Sequence, residues 1–163
     1  MKLTDADLAA LQRANPDISV VGDAGSLLGI APLARAHIVD EASLQMVIIA
    51  ECRRRAATVP EYSNLIHIPN GERRDKATAG RLKAMGVQAG VYDLFLAVAR
   101  RHEQTLWHGL WLELKYGENK PSQAQVAWAQ RMTAQGYLCR VIWDDPDEAL
   151  GLLAWYISSG KGS

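Results

Sequence analysis

Two short apolar runs decide the fold: VYDLFLAV at residues 91–98 and LWHGLWLELKY at residues 106–116. Both runs are rich in β-branched and aromatic residues, and a polar break at residues 100–104 separates them. They therefore predict two strands of a largely buried hairpin. Each run also carries charge where a buried strand is normally apolar, with Asp93 in the first and Glu113 and Lys115 in the second. Because an unpaired buried carboxylate is costly, these groups must be paired, neutralised or bound to a metal.

The spacing of the charges predicts a site. Glu113 and Lys115 are two residues apart, so on a strand they project from the same face. A hairpin register that brings Asp93 beside them makes two carboxylates and one ammonium converge. The alternative is a buried Asp–Lys or Glu–Lys pair that only fixes the strand register, and the spacing alone does not distinguish the two.

Length and composition predict one soluble domain. The chain has 163 residues, 48% hydrophobic and 22% charged, with a formal net charge of zero. Basic residues nevertheless gather before the first apolar run, and such a local basic face can hold phosphates. They are Arg53, Arg54, Arg55, Arg73, Arg74, Lys76, Arg81 and Lys83. For residues 53–55, a solvated helix face is the favoured interpretation.

The ends of the chain and the cysteines point to the cytoplasm. The start, MKLTDADLAALQ, has acidic residues where a signal peptide needs an apolar run, and no apolar stretch is long enough to span a bilayer. Cys52 and Cys139 have neither disulfide-framework nor zinc-ligand spacing. Residues 1–36 are predicted to be an N-terminal arm, helical in part, that either packs on a second subunit or is a loose terminus. Residues 37–163 are predicted to form the main domain.

Periodicity predicts a mixed α/β order. Helices are expected at residues 40–57, 75–85, 121–135 and 147–157, and strands at residues 62–68, in the two runs, and at residues 137–143. Apart from the helix at residues 75–85, which lies between the first two strands, the order is helix, three strands, helix, strand and helix, which makes an α/β sandwich with a mixed sheet.

At these motifs the chain resembles the VRR-NUC (virus-type replication-repair nuclease) branch of the PD-(D/E)xK nuclease superfamily. The similarity spans residues 41–157, with the motifs in the family's order. They are IPNGERR at residues 68–74, RLKAMGVQAGVYDLFL at 81–96, GLWLELK at 109–115, SQAQVAW at 122–128 and GY at 136–137. One departure is Tyr92, which stands where the family usually has proline before the aspartate.

The resemblance implies a restriction-endonuclease-like αβββαβ core, with a mixed sheet flanked by helices and an extra C-terminal helix. It also implies hydrolysis of DNA phosphodiester bonds with Mg²⁺ or Mn²⁺, hard cations that suit carboxylate oxygens. The implied metal ligands are Asp93, Glu113, the main-chain carbonyl of Leu114, and Glu41, directly or through water. Lys115 is implied to orient or deprotonate the attacking water.

Further residues are assigned by the same resemblance. Glu41 and Gln45 match a glutamate–glutamine pair on the first helix, with Glu51 as the competing glutamate. Gln125 matches a glutamine that hydrogen-bonds near the lysine. Asn70 and Arg74 match a turn and a following arginine of the family, and with Arg73 they are expected to contact DNA, because arginine can clamp a phosphate. The alternative is an ordinary turn with surface arginines.

The stand-alone form implies a homodimer acting on branched DNA, including the four-way (Holliday) junction, in a bacterial or phage-infected cell. Two alternatives among enzymes that act on nucleic acids remain open, a flap- or end-directed repair nuclease and, as a separate class, an RNA-processing or tRNA-editing relative. The alternative from another class is a non-catalytic DNA-binding module on the same fold.

Overall fold

The computed structural model describes residues 38–69 and 76–158 of the chain, and side chains are described from residue 80 onward in the second range. In chain order the elements are α1 (Glu41–Arg55), a 3₁₀ helix (Pro60–Asn64), β1 (Leu65–His67), α2 (Lys76–Ala84), β2 (Leu94–Leu96), β3 (Arg100–His102), β4 (Thr105–Trp107), β5 (Leu110–Lys115), α3 (Gln123–Ala134), β6 (Leu138–Trp143) and α4 (Pro146–Ser158).

The central sheet has four strands in the order β1-β2-β5-β6. The pairs β1–β2 and β2–β5 are antiparallel, whereas β5 and β6 are parallel and are joined by a crossover through α3. Leu94 of β2 stands opposite Leu112 of β5. The predicted α/β architecture with a mixed sheet flanked by helices, and with a closing C-terminal helix, is confirmed.

Strand β5 is the centre of the core because helices cover both of its faces. Its burial is complete over six residues. The leucines at its even positions, such as Leu112, join a large apolar cluster with α1 and α4. On the other face, Trp111 packs with Tyr92 and with Ala129 of α3. A strand that is buried on both faces is expected to have a continuous apolar sequence, and the charged residues Glu113 and Lys115 are exceptions to it.

The predicted single hairpin is wrong in its connection. β2 and β5 do pair, but the polar break between them forms a second, two-stranded ribbon from β3 and β4. Arg100 stabilises the base of this ribbon, since its guanidinium donates to Glu61 at 2.9 Å and to the Ile157 carbonyl at 3.0 Å. Glu103 has φ of 51° and turns the chain at the tip. The charged residues that suggested a loop lie in this ribbon, where Arg100 is held by hydrogen bonds and Glu103 is exposed.

The predicted strand over residues 62–68 is also too long. Pro60 begins a 3₁₀ helix that ends at Asn64, so only Leu65–His67 pair with β2. Tyr62 is buried there against the Arg55 guanidinium rather than in the sheet. The predicted arm at residues 1–36 lies outside the described residues. In the described ranges, no helix has the length and apolar character needed to cross a membrane.

Candidate active site

Strand register brings the predicted charged residues to one end of the sheet. Asp93 directly precedes β2, and its Oδ2 accepts a 2.9 Å hydrogen bond from the backbone N–H of Leu114. Because side chains alternate along β5, Glu113 and Lys115 point to the opposite face from Leu114. The Lys115 Nζ donates to Glu113 Oε1 at 2.5 Å and to the Leu114 carbonyl at 2.9 Å. The three groups that the sequence singled out thus meet across β2 and β5.

Helix α1 adds a third carboxylate. Its N-terminus is fixed by a capping box, in which the Asp40 carboxylate accepts from Ser43 N–H and the Ser43 hydroxyl accepts from Asp40 N–H. Glu41, in the first turn, therefore starts from a fixed backbone. Its Oε1 lies 3.6 Å from Lys115 Nζ. Gln45, one turn later on α1, is half-buried.

Glu51 is held elsewhere and does not join this cluster. It is buried at the other end of α1, where its carboxylate accepts from the guanidiniums of Arg54 and Arg55 at 2.6–2.8 Å. Arg55 Nη1 also reaches the Leu150 carbonyl of α4 at 3.4 Å. Of the two glutamates that the sequence left open on this helix, the structure places Glu41 beside Lys115.

The Glu51 ion pair predicts an acid-dependent loss of stability. Hydrogen bonds from Arg54 and Arg55 lower the pKa of Glu51 to about 2 from its ordinary 4.5. A lowered folded pKa gives stability that is complete above the unfolded pKa and is lost as the pH falls toward 2. We expect Glu51→Gln to lower the free energy of unfolding at pH 7 by about 1–2 kcal/mol, with a smaller difference at pH 3. Urea unfolding at the two pH values measures this, and an equal difference at both would contradict it.

Gln125 ties helix α3 to the acidic cluster. Ser122 caps the helix, and its backbone N–H donates to Gln125 Oε1 at 2.7 Å. Since the oxygen of the amide is engaged there, its nitrogen faces the sheet and donates to Glu113 Oε1. The predicted helix start at Pro121 is displaced by two residues, since Pro121 precedes the cap. Glu113 Oε1 therefore accepts from both Lys115 and Gln125.

Gly90 lets the chain before β2 approach the start of α3. Its φ is +83°, and a Cβ built there would come within 2.7 Å of the Gln125 backbone nitrogen and closer still to the Ala124 carbonyl group. Only glycine tolerates both the backbone conformation and the contact. This contact joins the segment carrying Asp93 to the helix turn carrying Gln125.

Burial sets the charge state of the cluster. Glu113 has no exposed surface, and its Oε2 has no hydrogen-bond partner in the part of the chain that the structure describes. Burial, with the Asp93 charge next, raises the pKa of Glu113 to about 8, although Lys115 opposes this. Burial also raises the pKa of Asp93. Burial disfavours the charged form of Lys115, but the nearby charges, with Glu113 first, outweigh it and raise its pKa.

The donor set fits a hard divalent cation. Among the described residues, no three His, Cys, Asp or Glu side chains form a ready-made metal cage. The oxygen atoms of the acidic cluster nevertheless include Glu113 Oε2, which has no hydrogen-bond partner among the described residues, and the carbonyl of Leu114. The Lys115 ammonium is the positive charge beside them. Oxygen ligands that leave open positions are what Mg²⁺ and Mn²⁺ take. A cation here would relieve the excess negative charge that burial makes costly.

The remaining residues of interest around the site fall into three groups. Tyr92, at the family's proline position, is buried against Trp111 and Cys139, so it fills the core beside the site. His67 Nδ1 lies 3.1 Å from the Asp93 carbonyl oxygen, not its carboxylate. Asn70, Arg73 and Arg74 lie outside the described residues.

Sequence reasoning missed Asn119. It lies in the loop after β5, and its Nδ2 donates to Glu41 Oε1 at 3.2 Å. No local pattern marks it, because its role depends on how the β5–α3 loop folds back toward α1.

Comparison with known structures supports the fold described above. A solved structure described as a VRR_NUC domain protein superposes with a TM-score of 0.63 and 26% sequence identity, over 76% of this chain and 92% of that chain. No known protein-family profile and no curated protein matches the sequence. The mixed sheet flanked by helices and the structural similarity to that protein support the assignment of a VRR-NUC domain with the restriction-endonuclease-like fold.

Proposed function

We propose that the protein is a metal-dependent endonuclease that hydrolyses phosphodiester bonds in DNA. The observation that carries the proposal is the fully buried Glu113 carboxylate, which is flanked by Asp93 and Lys115 and has one oxygen without a hydrogen-bond partner among the described residues. A buried charge pair that only fixed the strand register would leave no oxygen without a partner, because orphaned buried acceptors are costly. The VRR_NUC neighbour supports the same class of activity.

In this proposal the carboxylates hold the cation and the lysine orients the attacking water. Asp93, Glu113 and the Leu114 carbonyl are the proposed ligands, and Glu41 adds a third carboxylate directly or through water. Bound Mg²⁺ or Mn²⁺ supplies positive charge to the phosphate and makes water more acidic. The Lys115 ammonium orients the attacking water, while Gln125 fixes the position of Glu113.

The hydrolysis itself needs few groups. The water oxygen forms a new bond to phosphorus, the phosphorus–oxygen bond to the leaving nucleotide breaks, and the departing oxygen takes up a proton. One end then carries a phosphate monoester and the other a hydroxyl. The Lys115 ammonium offsets the charge that builds on the phosphate oxygens. Asn70, Arg73 and Arg74 are proposed to bind the flanking DNA.

The preferred substrate in this proposal is branched DNA, in particular the four-way junction, cut by a homodimer. A closed two-fold dimer presents two identical sites, which matches the symmetry of a junction with two opposing strands to cut. The similarity of the described domain to a VRR_NUC domain protein supports the nuclease class, while the substrate and the dimer rest on this symmetry argument.

The test is cleavage of labelled four-way junction, flap, linear duplex and an RNA hairpin, each with Mg²⁺, Mn²⁺ or EDTA. Asp93→Asn removes a proposed metal ligand. Lys115→Ala removes the ammonium that is proposed to orient the attacking water. Glu118→Gln removes an exposed charge of the loop after β5 as a matched control. We expect metal-dependent junction cleavage that falls by on the order of a thousandfold in both site variants and is unchanged in the control. Light scattering of the same samples measures the dimer.

Other outcomes would redirect the assignment. Cutting of the flap or linear duplex in place of the junction would retain the site and exclude the resolvase. Cutting of RNA alone would assign an RNA-processing nuclease. Binding of DNA without cutting, unchanged in both variants, would assign a non-catalytic DNA-binding module.

A further inference from the structure

Asn119 is placed where it can control Glu41. The Asn119 Nδ2 donates to Glu41 Oε1 at 3.2 Å, and the same oxygen lies 3.6 Å from Lys115 Nζ. The Glu41 side chain is 39% exposed. A half-exposed glutamate has several rotamers open to it, and ordering a long side chain costs conformational entropy. Glu41 is thus the carboxylate of the cluster that most needs an external restraint.

The loop carrying Asn119 is anchored on both sides. Trp143 Nε1 of β6 donates to the Asn119 carbonyl at 3.1 Å, and the Asn119 N–H donates to the Tyr116 carbonyl at 3.2 Å. The Gly117 N–H donates to Asp144 Oδ1 at 2.7 Å, and both of these residues have positive φ, 59° and 52°. A turn fixed by three such bonds holds the Asn119 side chain in a constant position relative to β5 and β6.

The chemistry of an amide suits this task. A lysine or arginine in place of Asn119 would fix Glu41 but would also neutralise it and weaken any cation bound beside it. The neutral N–H of Asn119 restrains one carboxylate oxygen and leaves the charge of Glu41 intact. Outer groups of this kind orient metal ligands, and their loss typically lowers metal affinity by about 10–100-fold.

We propose that Asn119 is a positioning residue that holds the Glu41 carboxylate toward Lys115 and the Asp93–Glu113 pair, and so raises the affinity of the site for a divalent cation. The inference rests on the proposed metal-dependent function and adds a residue to it. It concerns the occupancy of the site by metal, which is measured without DNA and without turnover.

The test is a Mn²⁺ titration of the full chain, followed by the electron paramagnetic resonance signal of free Mn²⁺. Four proteins form a cycle: wild type, Asn119→Ala, Glu41→Gln and the double variant. Glu118→Ala, an exposed neighbour in the same loop, is the matched control. We expect Asn119→Ala to weaken binding about tenfold in the wild-type background and less than twofold in the Glu41→Gln background. Glu118→Ala should change binding less than twofold, and thermal unfolding without metal should be the same for Asn119→Ala and wild type.

The outcomes separate this inference from the proposed function. Equal weakening by Asn119→Ala in both backgrounds would show that Asn119 acts independently of Glu41 and would overturn the inference. Unchanged binding in Asn119→Ala would overturn it as well, with the metal site intact. No Mn²⁺ binding by wild type would overturn the proposed function, and the inference with it.

Discussion

Glu113→Gln is expected to stabilise the metal-free protein at pH 9 while abolishing cleavage. The folded pKa of Glu113 is about 8, against 4.5 for the ordinary group, because the side chain is buried beside Asp93. Between these values the folded chain holds a proton that the unfolded chain has released, so wild-type stability falls as the pH rises from 4.5 to 8. Glutamine does not titrate and does not suffer this loss.

The size of the effect is set by the buried charge. We expect Glu113→Gln to gain a few kcal/mol at pH 9, which raises the unfolding temperature by roughly 5–10 °C for a domain of this size. At pH 5 the two proteins should unfold at nearly the same temperature, because Glu113 is protonated there. Scanning calorimetry in EDTA at pH 5, 7 and 9 measures the difference.

Added metal should make wild type more stable than Glu113→Gln, which is the reverse of the order expected without metal at pH 9. Added Mg²⁺ stabilises a protein that binds it only in the folded state, so wild type should gain and Glu113→Gln should not. Glu103→Gln, at the exposed tip of the ribbon beyond the opposite end of the sheet, is the control and should follow wild type at every pH. If Glu113→Gln were less stable than wild type at pH 9 without metal, the carboxylate would be a structural partner of Lys115 and Gln125 and not a poised ligand.

Gly90→Ala adds one methyl group, and we expect it to be the most destabilising addition of a single methyl group in the described part of the chain. The new Cβ would meet the main chain of Ala124 and Gln125, which cannot rotate away as a side chain can. The positive φ adds strain of its own. Together these predict a loss of about 3–5 kcal/mol in the free energy of unfolding, measured in urea.

Gly86→Ala separates the two causes. Gly86 also has a positive φ, +95°, but a Cβ built there meets no heavy atom of the described residues within 4 Å. It should lose only about 1 kcal/mol, the cost of the backbone conformation alone. Gly90→Ala should also cleave less per folded molecule, because pushing the start of α3 away moves Gln125 from Glu113. Equal losses in the two variants would show that the close approach at Gly90 is not a constraint.

The sequence was informative where one strand carries its own signal. The uninterrupted apolar run of β5 made Glu113 and Lys115 stand out, and period two placed them on one face. Gln125 was likewise singled out by its spacing of three residues from Ser122, which is the spacing of the resembled family, whereas the capping box at Ser122 was not predicted. In both cases the informative residues are less than four positions apart.

What escaped prediction depends on distant parts of the chain. Glu51 pairs locally with Arg54 and Arg55, but the position of Glu41 beside Lys115 depends on a contact between residues 74 positions apart. The ribbon of β3 and β4 resembled a loop because its stabilising partners, Glu61 and Ile157, are about 40 and 60 residues away from Arg100. Asn119 meets Glu41 across 78 positions.

The ribbon between β2 and β5 bears on how the protein can be engineered. β2 leads away from Asp93 and β5 leads back toward Glu113, so the ribbon extends from the end of the sheet opposite the acidic cluster. Its base is clamped by Arg100, while Glu103 at the tip is exposed. The tip is thus a suitable insertion point for a fluorescent or targeting module. An insertion there lies between the segment that carries Asp93 and the strand that carries Glu113, and it leaves the spacing of residues within each of them unchanged.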